Sequence, residues 1–309
     1  MPGANTELEL RTHLALAEIG RAEWARVTGP GAPPFLDYEW LDALERTGCV
    51  GSEQGWAPLH LGLYRSGRLV AAAPAYVKGH SDGEFVFDQS WARFSVEQLG
   101  RPYYPKLLIA VPFTPATGPR LGSSGELALT DARRALLAGA EALAAQGMIH
   151  RHGVQYHWAN EGYATFAEFL GRFSSKRRAQ IRREQRALDE QGIALEVLTG
   201  AGVTEEAIAV MADCYRATVD KFFWGRRYLT PAFFRAVAER MPERLLLVMA
   251  RRRATGRYVA GAFNLLGADA LYGRYWGALE EHPFLHFNVC YYAGIEAAIA
   301  RGLARFEPG

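Results

Sequence analysis

Apolar residues along this chain recur with two periods, near 3.6 and near 2, and the switches between them divide it into helices and strands. Residues 7–10 alternate as a strand and residues 21–27 form a short helix, followed by a loop holding Gly29, Pro30, Gly31, Pro33 and Pro34. Residues 36–46 place Leu36, Trp40, Leu41 and Leu44 on one helical face, with Asp37 near the cap. Residues 59–64 and 69–77 read as two strands joined by Ser66-Gly67, a pair suited to a tight hairpin. Residues 85–87 predict a strand, residues 103–115 a proline-punctuated segment, residues 131–145 an alanine-rich helix, and residues 153–158 a strand. The second half predicts a strand at 194–198, helices from Thr204 to Asp220 and from Pro231, strands at 245–250 and 270–276, a helix at 287–300 and a strand from Ala304.

Residues 173–191, FSSKRRAQIRREQRALDEQ, carry the strongest pattern. They predict one helix, with Ser174 or Ser175 as N-cap and Gly192 as the stop. Arg178, Arg182 and Arg186 form one ridge, flanked by Lys176 and Arg183, while Ile181 and Leu188 share the other side. Like charges four apart repel by a few tenths of a kcal/mol per pair, about 0.2–0.5 in an isolated helix. Such a face suits an anion: phosphate, a nucleic-acid backbone or a lipid headgroup. The plain alternative is a solvated helix face.

The hairpin occurs twice. Ser66-Gly67-Arg68-Leu69-Val70-Ala71-Ala72-Ala73 parallels Thr255-Gly256-Arg257-Tyr258-Val259-Ala260-Gly261-Ala262, and each follows a helical stretch and an apolar strand. That period is too long for a solenoid and predicts a duplicated domain. The expected division is a first domain at 1–172, the basic helix at 173–192 as an inter-domain element, and a second domain at 193–309.

Length and composition narrow the class. A chain of 309 residues accommodates two ordinary domains. Net charge of +2 places the basic character locally rather than globally. Three scattered cysteines, Cys49, Cys214 and Cys290, show no CxxC spacing, which argues against a zinc or disulfide framework and for a reducing compartment. The apolar N-terminal residues are broken by charge, and no run is long enough to span a bilayer. A soluble cytoplasmic protein is expected, with membrane-surface association left open.

The order strand, two helices, hairpin, strand, helix, strand is that of the GNAT acyltransferase fold, here apparently twice: an α/β (α+β) class with mostly antiparallel sheets. The segment SSKRRAQIRREQRALDEQGIALEVL resembles the FemABX-like peptidoglycan aminoacyltransferases. A closer resemblance is to the FemAB-like group of predicted N-acyltransferases and peptidoglycan biosynthesis proteins. It rests on PFLDYEWLDALE, GWAPLHLGLY, YYPKL, PFTPATGPRL, VQYHW and LYGRYWGALEEHPFLHFNVCYYAGIEAAI, and covers nearly the whole chain. Two departures stand out. Near Gln146 and Gly147 the family has a further strand and helix, and relatives continue past a sequence like RFEPG, where this chain reaches Gly309. The second domain is therefore expected to be shortened.

The resemblance implies transfer of an acyl or aminoacyl group to an amine, with a cell-wall precursor as acceptor. Conventional GNAT enzymes cradle the pyrophosphate of acetyl-CoA on backbone N–H groups of a glycine-rich loop. Here that place holds Gly277-Ala278-Leu279-Glu280-Glu281-His282-Pro283-Phe284, with two carboxylates and no glycine run. No bound cofactor is expected; aminoacyl-tRNA is the expected donor, with acyl-CoA as the alternative and no role for DNA. A basic helix suits tRNA or the diphosphate of a lipid-linked precursor.

Amide formation needs a base for the ammonium proton. Candidates are Glu280, Glu281, His286, His157 and Asp88, Glu280 because neighbouring aromatics would raise its pKa, and Asp88 mainly through the resemblance. Lys106 and Tyr104 are candidate substrate contacts, as are Arg178, Arg182 and Arg183. His157 and Trp158 line a cleft or fill a core. Tyr275, Trp276 and Tyr291, with Tyr272 and Tyr292, form a stacking wall or a core. No metal-ligating, Walker or nucleophile-elbow motif is present. A non-catalytic glycan or nucleic-acid recognition module is the alternative from another class.

Overall fold

A computed structural model describes residues 7–85, 88–143, 155–223 and 225–309, and the chain divides into two compact units, Met1–Gly153 and Val154–Gly309. The first unit runs β1 (Leu8–His13), α1 (Leu16–Ile19), α2 (Arg21–Thr28), α3 (Tyr38–Arg46), β2 (Trp56–Pro58), β3 (His60–Arg65), β4 (Arg68–Ala73), β5 (Ala75–Lys78), α4 (Gln89–Leu99), β6 (Lys106–Ile109), β7 (Gly122–Ser123) and α5 (Leu129–Leu143). Ser66 and Gly67 both have positive φ, and Arg65 pairs with Arg68, so the expected two-residue hairpin forms. The single strand expected over 69–77 is divided at Pro74. Proline has no N–H for a ladder, and β4 joins the sheet β1-β3-β4-β7 while β5 joins β2-β5-β6. Leu61, Leu63, Val70, Ala71 and Ala75 pack against Ala132 and Leu136 of α5.

The second unit runs β8 (Trp158–Ala159), α6 (Phe166–Gly171), α7 (Ser175–Glu190), β9 (Ile193–Thr199), α8 (Glu205–Asp220), α9 (Pro231–Arg240), β10 (Leu245–Arg252), β11 (Tyr258–Leu266), β12 (Ala270–Ala278), α10 (Leu285–Phe287), a π turn (Asn288–Tyr292), α11 (Ala293–Ala300) and β13 (Arg305–Glu307). Its six-stranded sheet has the order β8-β13-β12-β11-β10-β9. All pairs are antiparallel except β12 with β13, which run parallel for only three residues, Ala270–Tyr272 beside Arg305–Glu307. Alternation along β12 sends Tyr275 toward Tyr215 of α8 and Phe234 of α9, and Trp276 toward the opposite face. There α6, α7, α10 and α11 bury Phe169, Ile181, Leu188, Leu285 and Ile295 against Val248, Leu271 and Phe306. Gly277 permits the close seating of α8: an ideal Cβ there would lie 1.8 Å from Cys214 O. The mixed, mostly antiparallel sheet flanked by helices is the fold class expected from the sequence.

Two expectations need correction. The unit boundary lies after Gly153, not Arg172, because β8 pairs with β13 and Phe169 and Leu170 of α6 enter the second core. The basic helix α7 is likewise part of the second unit, held by Ile181 and Leu188. The pattern did not disclose α4. The expected strand at 85–87 extends into residues outside those described, as do the end of the helix at 131–145, the start of the strand at 153–158, and Gln146 and Gly147.

Candidate functional site

Chemistry-bearing side chains gather at one place in each unit. In the first unit β5 ends on Lys78, whose side chain is wholly buried. Its Nζ lies 3.8 Å from the centroid of the Trp56 ring, donates to Asp82 O at 3.1 Å, and stands 4.0 Å from Glu84 Oε1. Burial lowers its pKa to about 8. Lys106, at the start of β6, donates to Glu84 Oε2 at 2.7 Å and closely to Asp88 Oδ2. Asp88 also accepts from Tyr103 and Tyr104, each at 3.0 Å, and from Ser81.

These contacts separate the two carboxylates. Burial alone would raise Asp88, but Lys106 and the tyrosine hydroxyls outweigh it and hold its pKa below the ordinary value. Burial dominates at Glu84, whose pKa is raised and whose Oε1 has no hydrogen-bond partner. Asp88 is therefore saturated with donors and poorly suited to accept another proton. Lys106 is neutralised by its two partners, which corrects its reading as a free anion contact, and Tyr104 serves Asp88. Lys78, Ser81 and Glu84 escaped the sequence reading. The available signal was a lysine closing an otherwise apolar strand, AAAPAYVK.

In the second unit the segment after β12 carries the candidate base. Glu280 binds Arg252 closely and His282 Nε2 at 3.3 Å, and the arginine, then the histidine, hold its pKa below the usual carboxylate value. The elevation expected from neighbouring aromatics is absent because these cations dominate. Glu281 is paired with Lys221 at 2.8 Å. The N–H groups of Leu279 and Glu280 both point to Val259 O, at 2.7 and 3.4 Å.

His286 follows on α10. Its ring lies 4.8 Å from Trp276 and 5.6 Å from Tyr291, centroid to centroid. Desolvation lowers its pKa, so the neutral imidazole, which can take a proton, prevails at neutral pH. His286, Trp276 and Tyr291 are thus brought together. Tyr275 is not: it lies on the other face of the sheet, 5.4 Å from Tyr215 and 6.0 Å from Phe263, and is core. Tyr272 is buried and bonded to Arg305, and Tyr292 donates to Glu184 at 2.5 Å.

At the start of the π turn Asn288 Nδ2 donates to Phe284 O at 2.9 Å, alongside the backbone N–H of Asn288 at 3.1 Å, and to Glu184 O at 3.1 Å, which fastens the turn to α7. Tyr291 and Tyr292 lie on this turn. On α7, Arg178 folds back to Phe173 O at 2.7 Å and Ser175 Oγ at 3.1 Å, so it caps its own helix. Lys176, Arg182, Arg183 and Arg186 are exposed on the outer face and make no ion pair or side-chain hydrogen bond among the described residues. His157 approaches Glu307 at 3.5 Å, and Trp158 packs on Phe169 and Tyr163, a core role. Cys214 is buried with its thiol pushed up to about 12, and burial raises Cys290 as well, so neither is an activated nucleophile. Among the described residues no group of three His, Cys, Asp or Glu is placed to hold a metal, and no helix is long and apolar enough to cross a membrane.

Comparison with known proteins adds the following. Residues 15–146 and 138–309 match the profile of the FemAB_like family, described as peptidoglycan biosynthesis/recognition. Among curated proteins none matches significantly. The crystal structure of FemX is similar, with a TM-score of 0.50 at 12% identity over 96% of this chain and 87% of that one. L-PGS from Bacillus licheniformis gives 0.47 at 12%, covering 91% and 79%. A tandem GNAT protein from the clavulanic acid biosynthesis pathway gives 0.42 at 14%, covering 97% and 89%. At such identities the likeness to FemX is one of fold.

Proposed function

This chain belongs to the FemAB_like family of peptidoglycan biosynthesis and recognition, and from that premise we propose that it transfers an aminoacyl group from aminoacyl-tRNA to an amine of a cell-wall precursor. Family and fold support acyl or aminoacyl transfer in general; the choice of donor is our reading. The observation that carries it is the segment after β12. Two of its N–H groups are already bonded to Val259 O, and Glu280 and Glu281 place carboxylates where a pyrophosphate would need donors. The unpaired cations on the outer face of α7 offer phosphate contacts instead.

In this reading neutral His286 takes a proton from the acceptor ammonium. The freed amine attacks the ester carbonyl, the new C–N bond forms, and the ester C–O bond to the ribose breaks. The imidazolium protonates the departing ribose oxygen, and the second proton on the attacking nitrogen passes to water, so one proton is released for each amide formed. Trp276 and Tyr291 desolvate the imidazole and fix its plane. The test is amide formation on a peptidoglycan precursor peptide bearing a free amine, with mixed aminoacylated tRNA or acetyl-CoA offered separately. Transfer from tRNA alone supports the proposal. Turnover of acetyl-CoA with no binding of tRNA replaces the donor, and tight precursor binding with neither donor used leaves a recognition module.

A further inference from the structure

Beside the imidazole of His286 stands a ring to which the proton transfer described above gives no role. Phe287 is the next residue of α10 and is 49% exposed. Its ring centroid lies 5.8 Å from His286, 5.3 Å from Tyr291 and 6.3 Å from Tyr292. Its plane meets those of the two tyrosines at only 31° and 39°, so the phenyl lies against them while half of it faces solvent. Trp276 continues the wall on the far side of His286, at 4.8 Å. Phe284, three positions before Phe287, is 42% exposed. The inner side of this segment is already filled: Leu285 and Val289 lie in the core, and Asn288 is bonded to Phe284 O and Glu184 O. The outward positions of such a segment ordinarily carry polar residues. An aromatic surface left open around a reacting group marks a ligand contact.

The chemistry of the occupant follows from the surroundings. Desolvation alone depresses the imidazole; no charge acts on it among the described residues. The charged groups earlier in the segment are engaged, Glu280 with Arg252 and His282, and Glu281 with Lys221. A charged side chain brought against the rings would lose hydration and find no counter-ion. A carboxylate would also raise the imidazole pKa and protonate the base. An apolar side chain gains from the same burial. Reach identifies which part of the substrates arrives there. The attacking nitrogen must come within about 3 Å of the imidazole. The ester carbonyl is one forming bond further, and the aminoacyl Cα follows at about 1.5 Å. The aminoacyl side chain leaves from that carbon, so it starts beside the rings. We propose that Phe287, with Trp276 and Tyr291, receives the side chain of the transferred aminoacyl group and selects large uncharged side chains over small or charged ones. The proposal rests on the donor assignment above.

The test offers one tRNA charged in turn with alanine, leucine, phenylalanine, lysine or aspartate. Transfer to the precursor peptide is followed by mass spectrometry, as kcat/KM for each donor, with wild type and Phe287→Ser. Each preference is a ratio within one protein, so it does not depend on the fraction folded. Wild type should favour the leucyl and phenylalanyl donors over the alanyl donor by about tenfold, the effect of burying roughly two further methylene groups. It should use the lysyl and aspartyl donors less well than the alanyl one. Phe287→Ser should bring the leucyl-to-alanyl ratio within about twofold of unity. Equal use of all five donors, or a preference for alanyl, overturns the proposal and leaves the donor assignment standing. A leucyl preference that survives Phe287→Ser overturns it as well; a raised KM for the precursor in that variant would place the acceptor on the ring instead. Transfer from none of the five removes the donor assignment and the proposal with it.

Discussion

Replacing Lys106 by methionine tests the electrostatic account of the first unit. Methionine keeps most of the apolar stem and deletes the charge. Two carboxylates, each only 4% exposed, then share a site with Lys78, 4.0 Å from Glu84 and itself weakened as a cation by burial. Asp88 retains Tyr103, Tyr104 and Ser81 as donors, so Glu84 bears most of the loss. Removing one partner of a buried pair costs about 3–5 kcal/mol, and this range applies above neutral pH. The sign of the pH dependence follows from the shifts. In wild type Asp88 is depressed, so its contribution is present above the ordinary carboxylate pKa and is lost as pH falls through the lower folded value. Glu84 is raised, so its folded form binds more protons than the unfolded chain just above the ordinary pKa, and it opposes stability as pH rises there. Without Lys106 both carboxylates shift upward. Folded protein then holds protons that unfolded chain has lost, and stability falls by up to about 1.4 kcal/mol per pH unit for each proton involved. Urea titrations at pH 5 and pH 8, followed by tryptophan fluorescence, should show a deficit much smaller at pH 5. Adding Glu84→Gln should recover most of it at pH 8. An equal deficit at both pH values, or one under about 1 kcal/mol, would refute the reasoning.

Three further outcomes are expected. Gly277→Ala must move Cys214 O by roughly 1.6 Å to restore ordinary contact, so α8 is pushed off β12 and the second unit should lose at least about 3 kcal/mol in a denaturant titration. His286→Asn should cut the transfer rate about a hundredfold and abolish an acid limb lying below the ordinary imidazole value of 6.5, because desolvation lowers the folded pKa; a rate profile unchanged between pH 5 and 8 would exclude it as base. Glu280→Gln should leave the rate within about twofold, since an ion-paired carboxylate of depressed pKa is a poor base at neutral pH; a loss comparable to that of His286→Asn would return the role to Glu280.

Much of the fold is visible in the residues themselves, because patterning reports burial directly. Both hairpins form where Ser66-Gly67 and Thr255-Gly256 interrupt apolar strands, and α7 has the cap, the docking side and the cationic side that its spacing implies. The FemAB-like resemblance is borne out over both halves of the chain. What patterning could not give is which elements share a core. β8 joins the second unit through two pairs to β13, Arg305 with Ala159 and Phe306 with Trp158, more than 140 residues away in sequence. No local signal records such a contact. The same limit applies to charge: Glu280 and Lys106 look free in sequence, and only the fold brings Arg252 to one and Glu84 to the other. α4 was overlooked because its apolar residues Trp91, Phe94, Val96 and Leu99 are exposed and scatter round the helix rather than forming a buried stripe.

Comparison of four acid–base groups, Asp88, Glu280, Glu84 and His286, ties these strands together. A proton acceptor for an ammonium group must be unprotonated at working pH, reachable, and not already saturated with donors. Asp88 is unprotonated but buried beneath four donors; Glu280 is unprotonated but held by Arg252 and His282; Glu84 has an open oxygen but is buried beside two lysines. His286 alone of these combines an exposed ring with a neutral form favoured by desolvation, and it stands on the helix that the π turn fastens to the cationic α7. The carboxylates named for chemistry thus act as counter-ions that shape their units. In the proposed function the imidazole moves the proton, on the same face of the sheet as the exposed cations of α7.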